Sequence, residues 1–256
     1  MDKVIIITGG AGGIGSDICR GLAADGLKVV VADYAKDAAE KTAVEIRNAK
    51  GDAAAVEVDV GSKESVAEMM KQALAKYGQV DILFNGAGVM TRIPVVDMPE
   101  EEWDRVLRIN LKGTFLCSQA AAKYMIPRKQ GRILSIASGR GLAGQARASH
   151  YAASKAGIIA FTKSLAVELA PYDITVNAIC PGAADTDRLD FLGRRPDGSF
   201  DPAQRAEAIR ERAAAVPLGR LATADDVAEV AAFLAGDGAA YITGQAINVS
   251  GGAILH

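Results

Sequence analysis

Tyr151 and Lys155 stand four positions apart in an alanine-rich stretch, Tyr151-Ala152-Ala153-Ser154-Lys155. On a helix that spacing puts both side chains on one face, a turn apart. An isolated phenol is a poor base at neutral pH, and an ammonium beside it favours the phenolate. Such a phenol can take the proton of an alcohol and return it to a ketone. Alone the pattern is weak, because surface helices contain such pairs by chance. Upstream, Arg132-Ile133-Leu134-Ser135-Ile136 reads as a strand that runs into Ala137-Ser138. Ligands of open α/β sheets bind beyond the carboxyl ends of strands. Ser138 is therefore placed to hydrogen-bond a substrate oxygen as negative charge develops on it. Ser135, inside the strand, is the weaker choice.

A second group concerns phosphate. Thr8-Gly9-Gly10-Ala11-Gly12-Gly13-Ile14-Gly15 directly follows an apolar strand and opens a helical pattern. Glycine permits the tight turn and lets backbone N–H groups and a helix N-terminus approach a pyrophosphate. Its setting between strand and helix makes this a dinucleotide-binding signature, and Gly9, Gly13, Ile14 and Gly15 are its expected contacts. The next strand ends at Asp33. A carboxylate there accepts hydrogen bonds from the adenosine ribose of NAD and repels the extra phosphate of NADP. No arginine stands in the loop or beside Asp33, so NAD is the expected cofactor. Asp59 and Val60, closing a third strand, are placed against the adenine, although an ordinary strand-end carboxylate explains Asp59 equally. Asn85-Gly86-Ala87-Gly88 is a second glycine turn, expected to bring backbone close to the cofactor's ribose or else to support the sheet.

These groups need a scaffold that brings them to one edge. Val4–Ile7, Lys28–Ala32, Ala54–Val58, Asp81–Phe84, Arg132–Ile136, Thr175–Ile179 and Ala246–Val249 read as strands. Most are continuously apolar, as parallel strands covered on both faces are. Helical patterns lie near 14–25, 37–49, 63–77, 100–126, 150–170 and 223–235. The alternation predicts an α/β fold: a Rossmann-type, doubly wound parallel sheet of about seven strands in three layers. No repeat or linker divides the chain, so one domain over 1–256 is expected. Residues 186–202, with a Pro-Asp-Gly turn and no period, read as a substrate lid or a solvated loop.

The assembled residues resemble the short-chain dehydrogenase/reductase family over essentially the whole length. Its Thr-Gly-x-x-x-Gly-x-Gly pattern matches Thr8, Gly9, Gly13 and Gly15, and its catalytic serine, tyrosine and lysine match Ser138, Tyr151 and Lys155. The resemblance adds Asn110 as a fourth catalytic residue, holding a water that links the lysine to solvent. From the residues alone Asn110 would be only a mid-helix kink. It also implies that Tyr151 and Lys155 touch the nicotinamide half of the cofactor, and that Pro181, Gly182 and Thr186 seat its carboxamide. Members assemble mostly as tetramers or dimers, so a homotetramer, or failing that a homodimer, is expected. Two positions depart from the pattern. Gly86 replaces a usual asparagine, and Ala137 replaces a frequent serine.

The resemblance spans NAD-dependent alcohol and sugar dehydrogenases and 3-oxoacyl-thioester reductases. Asp33 favours the first, acting on a polyol, sugar or hydroxy acid, because the thioester reductases usually draw on NADPH. A non-catalytic NAD sensor is disfavoured because Tyr151 and Lys155 are both retained. Around the expected substrate site stand Arg92, Arg140, Arg147, Arg188, Arg194 and Arg195, which either grip an anionic group or are simply solvated. The net charge of −2 with mixed signs points away from nucleic acid as a partner. Cys19, Cys117 and Cys180 show no ligand spacing, and no metal site is expected. No signal-peptide architecture or membrane-length apolar run is present, so a cytoplasmic enzyme of a small molecule is expected. His150 points away from the tyrosine's face and reads as structural.

Overall fold

The structure, a computed structural model, describes residues 3–185, 187–195 and 198–255. Each apolar run becomes a strand: β1 (Val4–Thr8), β2 (Lys28–Asp33), β3 (Asp52–Glu57), β4 (Ile82–Asn85), β5 (Gly131–Ile136), β6 (Ile174–Pro181) and β7 (Ala246–Val249). They pair in parallel in the order β3-β2-β1-β4-β5-β6-β7. The order reverses between β1 and β4, the switch point where ligands of such sheets bind.

Successive side chains of a strand point to opposite faces, so each strand feeds two cores. Val4, Ile6, Val30, Leu83 and Ile133 pack on one face with Met69 of α3 (Lys63–Tyr77) and Met125 of α5 (Gly113–Arg128). Ile5, Ile7, Val29, Val31 and Phe84 pack on the other. That face is covered by Ile18 and Leu22 of α1 (Gly13–Ala24), Ile46 of α2 (Lys36–Asn48) and Leu234 of α9 (Ala224–Ala235). This is the three-layer arrangement that the continuous apolar runs predict.

Two stretches differ from expectation. The helix expected over 100–126 is α4 (Glu100–Leu107), a π-turn over Arg108–Lys112, and α5. The wider turn carries Asn110, whose side chain is fully buried. Gly113 follows because a Cβ there would sit 2.7 Å from Cγ2 of Val60. Single π-turns inside helices recur at functional sites. The second stretch is 186–202, which is not wholly irregular. A 3₁₀ turn covers Asp187–Gly193 and an isolated bridge joins Arg194 to Phe200.

Helix α8 (Pro202–Ala214) then begins, with proline in its first turn and the Asp201 carboxylate accepting from the N–H groups of Ala203 and Gln204. This helix has no buried residue, hence no apolar stripe by which to recognise it. It packs against the 3₁₀ turn and is tied to it by Arg205, which pairs with Asp185 and Asp190. The remaining helices that bear on the site are the short α6 (Arg140–Ala143) and the long α7 (Ser149–Leu169).

Candidate active site

A cleft of about 790 Å³ opens at the switch point. One wall is the glycine loop. Gly9 has φ +70°, and a Cβ on it would lie 2.7 Å from the Ala87 backbone, so only glycine lets the turns after β1 and β4 touch. A Cβ on Gly15 would lie 2.1 Å from the Gly9 carbonyl oxygen, which ties the helix start to the turn. Gly12 and Gly13 are the opposite case. Both line the cleft, and a Cβ on either meets nothing within 4 Å. These positions are bare where a ligand would enter, and a pyrophosphate fits there against the N-terminus of α1. Ile14 lines the same wall.

Asp33 closes the adenosine end. Its Oδ2 accepts from the Ala11 N–H at 3.1 Å and its Oδ1 from the Ala35 N–H at 3.0 Å, which places the carboxylate at the lip of the loop. Tyr34, 76% exposed, lies beside it on the cleft and was not singled out from sequence, although it directly follows Asp33. Asp59 and Val60 line the opposite wall. Asp59 pairs with the Arg108 guanidinium at 2.9 Å and accepts from the Gly61 N–H. Burial opposes its charge, but the Arg108 and Gly61 hydrogen bonds outweigh that and hold the carboxyl below its usual range. Arg108 had no sequence signal, being brought to Asp59 from the π-turn.

Tyr151 and Lys155 lie at the other end of the cleft, both nearly buried. The Lys155 ammonium donates to the Ile136 carbonyl at 2.6 Å and lies 5.7 Å from the centre of the Tyr151 ring. Val106, Ala148, Val89 and Met90 pack around the tyrosine. Asn110 joins this end to the turn after β4. Its Oδ1 accepts from the Val89 N–H at 2.8 Å, and its Nδ2 donates to the Val89 carbonyl and to Ser154 Oγ, each at 3.0 Å. Ser154 donates in turn to the Tyr151 carbonyl at 2.7 Å. Gly88 makes the convergence possible, because a Cβ there would be 3.3 Å from Asn110 Oδ1 and 3.5 Å from Lys155 Nζ. The Asn110 amide therefore staples α7 to the cleft floor, and Ser154, unremarked in sequence, is the link.

Ser138 stands two residues beyond β5 and is buried, and its hydroxyl accepts from the Arg140 N–H at 3.1 Å. Asn85 turns away from the cleft. Its Nδ2 donates to Ser118 and Ser135, so the cleft wall here is the backbone of Gly86 to Val89. Pro181 ends β6, and the N–H of Gly182 just beyond it donates to the Val249 carbonyl at 2.9 Å. Thr186 and the side chain of Arg188 lie outside the described residues. His150 is fully buried and faces Thr91, at 2.8 Å from its hydroxyl. The three cysteines are buried, and burial pushes Cys117 up to about 12 and Cys180 up to about 11, so neither is a reactive thiolate.

A glycine-lined dinucleotide cleft that ends in a phenol beside an ammonium defines a hydride-transferring oxidoreductase. The chain belongs to the short-chain dehydrogenase family, whose model matches residues 3–196. It is 39% identical over 256 residues to the 3-oxoacyl-[acyl-carrier-protein] reductase of Synechocystis sp., covering 99% of this chain and 97% of the relative. It is 36% identical to the 3-oxoacyl-[acyl-carrier-protein] reductase FabG of Thermotoga maritima, covering 99% and 98%. A crystal structure of a short-chain type dehydrogenase/reductase from Mycobacterium marinum superimposes with a TM-score of 0.89 at 33% identity, covering 98% and 95%. The relatives' names favour the thioester-reductase reading over the polyol or sugar reading that Asp33 had put first. No helix is long and apolar enough to cross a membrane among the described residues.

Proposed function

We propose that the protein reduces the ketone of a 3-oxoacyl thioester to a secondary alcohol, with NADH in preference to NADPH. One observation carries the chemistry: Tyr151 and Lys155 open onto the same cleft as the glycine loop. The end-to-end match to two 3-oxoacyl-[acyl-carrier-protein] reductases supports the substrate class. Asp33 at the lip of the loop supports NAD, and the same residue keeps an alcohol dehydrogenase of a polyol, sugar or hydroxy acid as the second reading.

When bound, a nicotinamide dinucleotide would supply the hydride chemistry at the substrate carbon. Gly9, Gly13, Ile14, Gly15, Asp33, Asp59 and Val60 hold its adenosine and pyrophosphate. The turn after Asn85, with Pro181, Gly182 and Thr186, would hold its nicotinamide half. Tyr151 gives its phenolic proton to the carbonyl oxygen in reduction and takes it back in oxidation. Lys155, fixed by the Ile136 carbonyl, keeps a positive charge beside that phenol. Ser138 donates to the same substrate oxygen, and its acceptor side is already occupied by the Arg140 N–H. Asn110 fixes the floor under both and, as the family resemblance implies, holds a water that links Lys155 to solvent. The proposed setting is a cytoplasmic homotetramer or homodimer, which light scattering on the eluted protein reads directly.

The test follows NADH absorbance with acetoacetyl thioesters, sugars, polyols and simple secondary alcohols. Turnover of the thioesters with NADH is expected. Turnover confined to polyols or sugars would move the assignment to the second reading. Tight NADH binding with silence across the panel would favour a sensor.

A further inference from the structure

Four arginines from separate segments meet above the catalytic end of the cleft. Arg92 follows the turn after β4, Arg140 begins α6 two residues after Ser138, Arg147 precedes Tyr151, and Arg212 comes from α8. Phe191 of the 3₁₀ turn gathers two of them. The Arg92 guanidinium lies 5.3 Å from its ring centre and that of Arg212 5.9 Å. Burial, then the charges of Arg212, Arg140 and Arg147, make the Arg92 proton easier to lose than usual, so the other three charges reach Arg92.

Other arginines of this cap are neutralised: Arg195 pairs with Asp201, and Arg205 with Asp185 and Asp190. Among the described side chains, no carboxylate pairs with any of the four. Like charges repel, so an anion bridging these guanidinium groups would relieve that repulsion.

We propose that the cluster is a substrate subsite for an oxyanion, a carboxylate or a phosphate ester remote from the reacting carbon. Arginine forks match either group with paired hydrogen bonds. Arg140 and Arg147 come from the segments that carry Ser138 and Tyr151, so the subsite shares its scaffold with the catalytic end of the cleft. Arg92 and Arg212 both reach the Phe191 ring, so an anion held by the two would tie α8 to the turn after β4. The inference rests on the proposed ketone reduction and extends it from a reaction to a charge requirement.

Two measurements keep the two ideas apart. First, the protein saturated with NADH is titrated with succinate and with inorganic phosphate by calorimetry, as wild type and as the Arg92→Gln/Arg212→Gln double variant. The cofactor fills the glycine loop, so the remaining anion site is the one read. Binding of either anion that weakens at least about tenfold in the double variant is expected, since a charge-assisted hydrogen bond contributes on that scale. The anion preferred distinguishes carboxylate from phosphate. Arg210→Gln removes the same charge from α8 at a residue paired with Glu207, and leaves the affinity unchanged.

Second, kcat/KM is compared for acetoacetyl-coenzyme A against the neutral N-acetylcysteamine thioester, and for acetoacetate against its ethyl ester. The charged-to-neutral ratio of at least one pair falls about tenfold in the double variant. Absence of anion binding, or binding equal in wild type and double variant, overturns the subsite even if every ketone is reduced. Anion binding lost in the double variant while no ketone is reduced upholds the subsite and overturns the reaction.

Discussion

Asp33→Asn removes one negative charge from the lip of the glycine loop and almost nothing else. The side chain keeps its shape and one carbonyl oxygen for the Ala11 or Ala35 N–H, so the loop remains anchored. Two unit charges about 4 Å apart repel by roughly 4 kcal/mol at an effective dielectric of about 20. Asp33 is only half-buried, and water and salt screen it, so about half of that, roughly 2 kcal/mol, is the expected discrimination against the extra phosphate of NADP. That corresponds to about 30-fold in relative affinity. The assay is a fluorescence titration with NADH and NADPH at fixed ionic strength, with kcat/KM for each on an acetoacetyl thioester. The NADPH-to-NADH ratio is expected to rise about 30-fold in Asp33→Asn, and the gap to narrow at high salt. Wild-type protein that binds both cofactors alike, or a ratio that moves less than about threefold on substitution, would refute the electrostatic reasoning.

Tyr151→Phe removes the proton-carrying oxygen while the ring keeps its packing against Val106 and Ala148. Turnover should fall by about 10²–10⁴, with NADH affinity nearly unchanged by titration. Gly12→Ala and Gly15→Ala should separate binding from folding. The first meets open space and weakens NADH binding at constant melting temperature, whereas the second drives a methyl into the Gly9 carbonyl and lowers the melting temperature. Gly86→Asn, the asparagine that the family resemblance implies there, would place a Cβ 2.7 Å from the Thr8 carbonyl oxygen. It should cost about 1–3 kcal/mol in urea unfolding.

Acid sensitivity follows from His150. Burial, against the pull of Glu102, keeps its ring neutral below the usual histidine range. The unfolded chain binds that proton near its ordinary pKa of about 6.5, so stability is complete above that pH and declines as pH drops below it. Glu102, held near about 2 by Arg105, keeps its charge through that window. Urea midpoints between pH 5 and 8, with His150→Asn removing the decline, check this.

Much of the scaffold was legible because its signals are local. A continuous apolar run is buried on both faces wherever a parallel sheet forms, and Gly9 and Gly15 announce close backbone contacts by lacking a side chain. Tyr151 and Lys155 read as a pair because a helix fixes their relation within one turn. What only the tertiary structure decided depends on segments distant in sequence.

Asn85 looked like a cleft residue, but Ser118 and Ser135 draw it inward, and both come from elements folded against β4. Asn110 is carried inward by a π-turn and meets Ser154 from another helix. Helix α8 has no buried face to betray it, yet it brings Arg212 to the Phe191 ring that Arg92 also reaches. Period and composition report what a residue does for its own element. Where a side chain finds its partner across elements, only the packed chain supplies the answer, because the partner's position is set by every element between them.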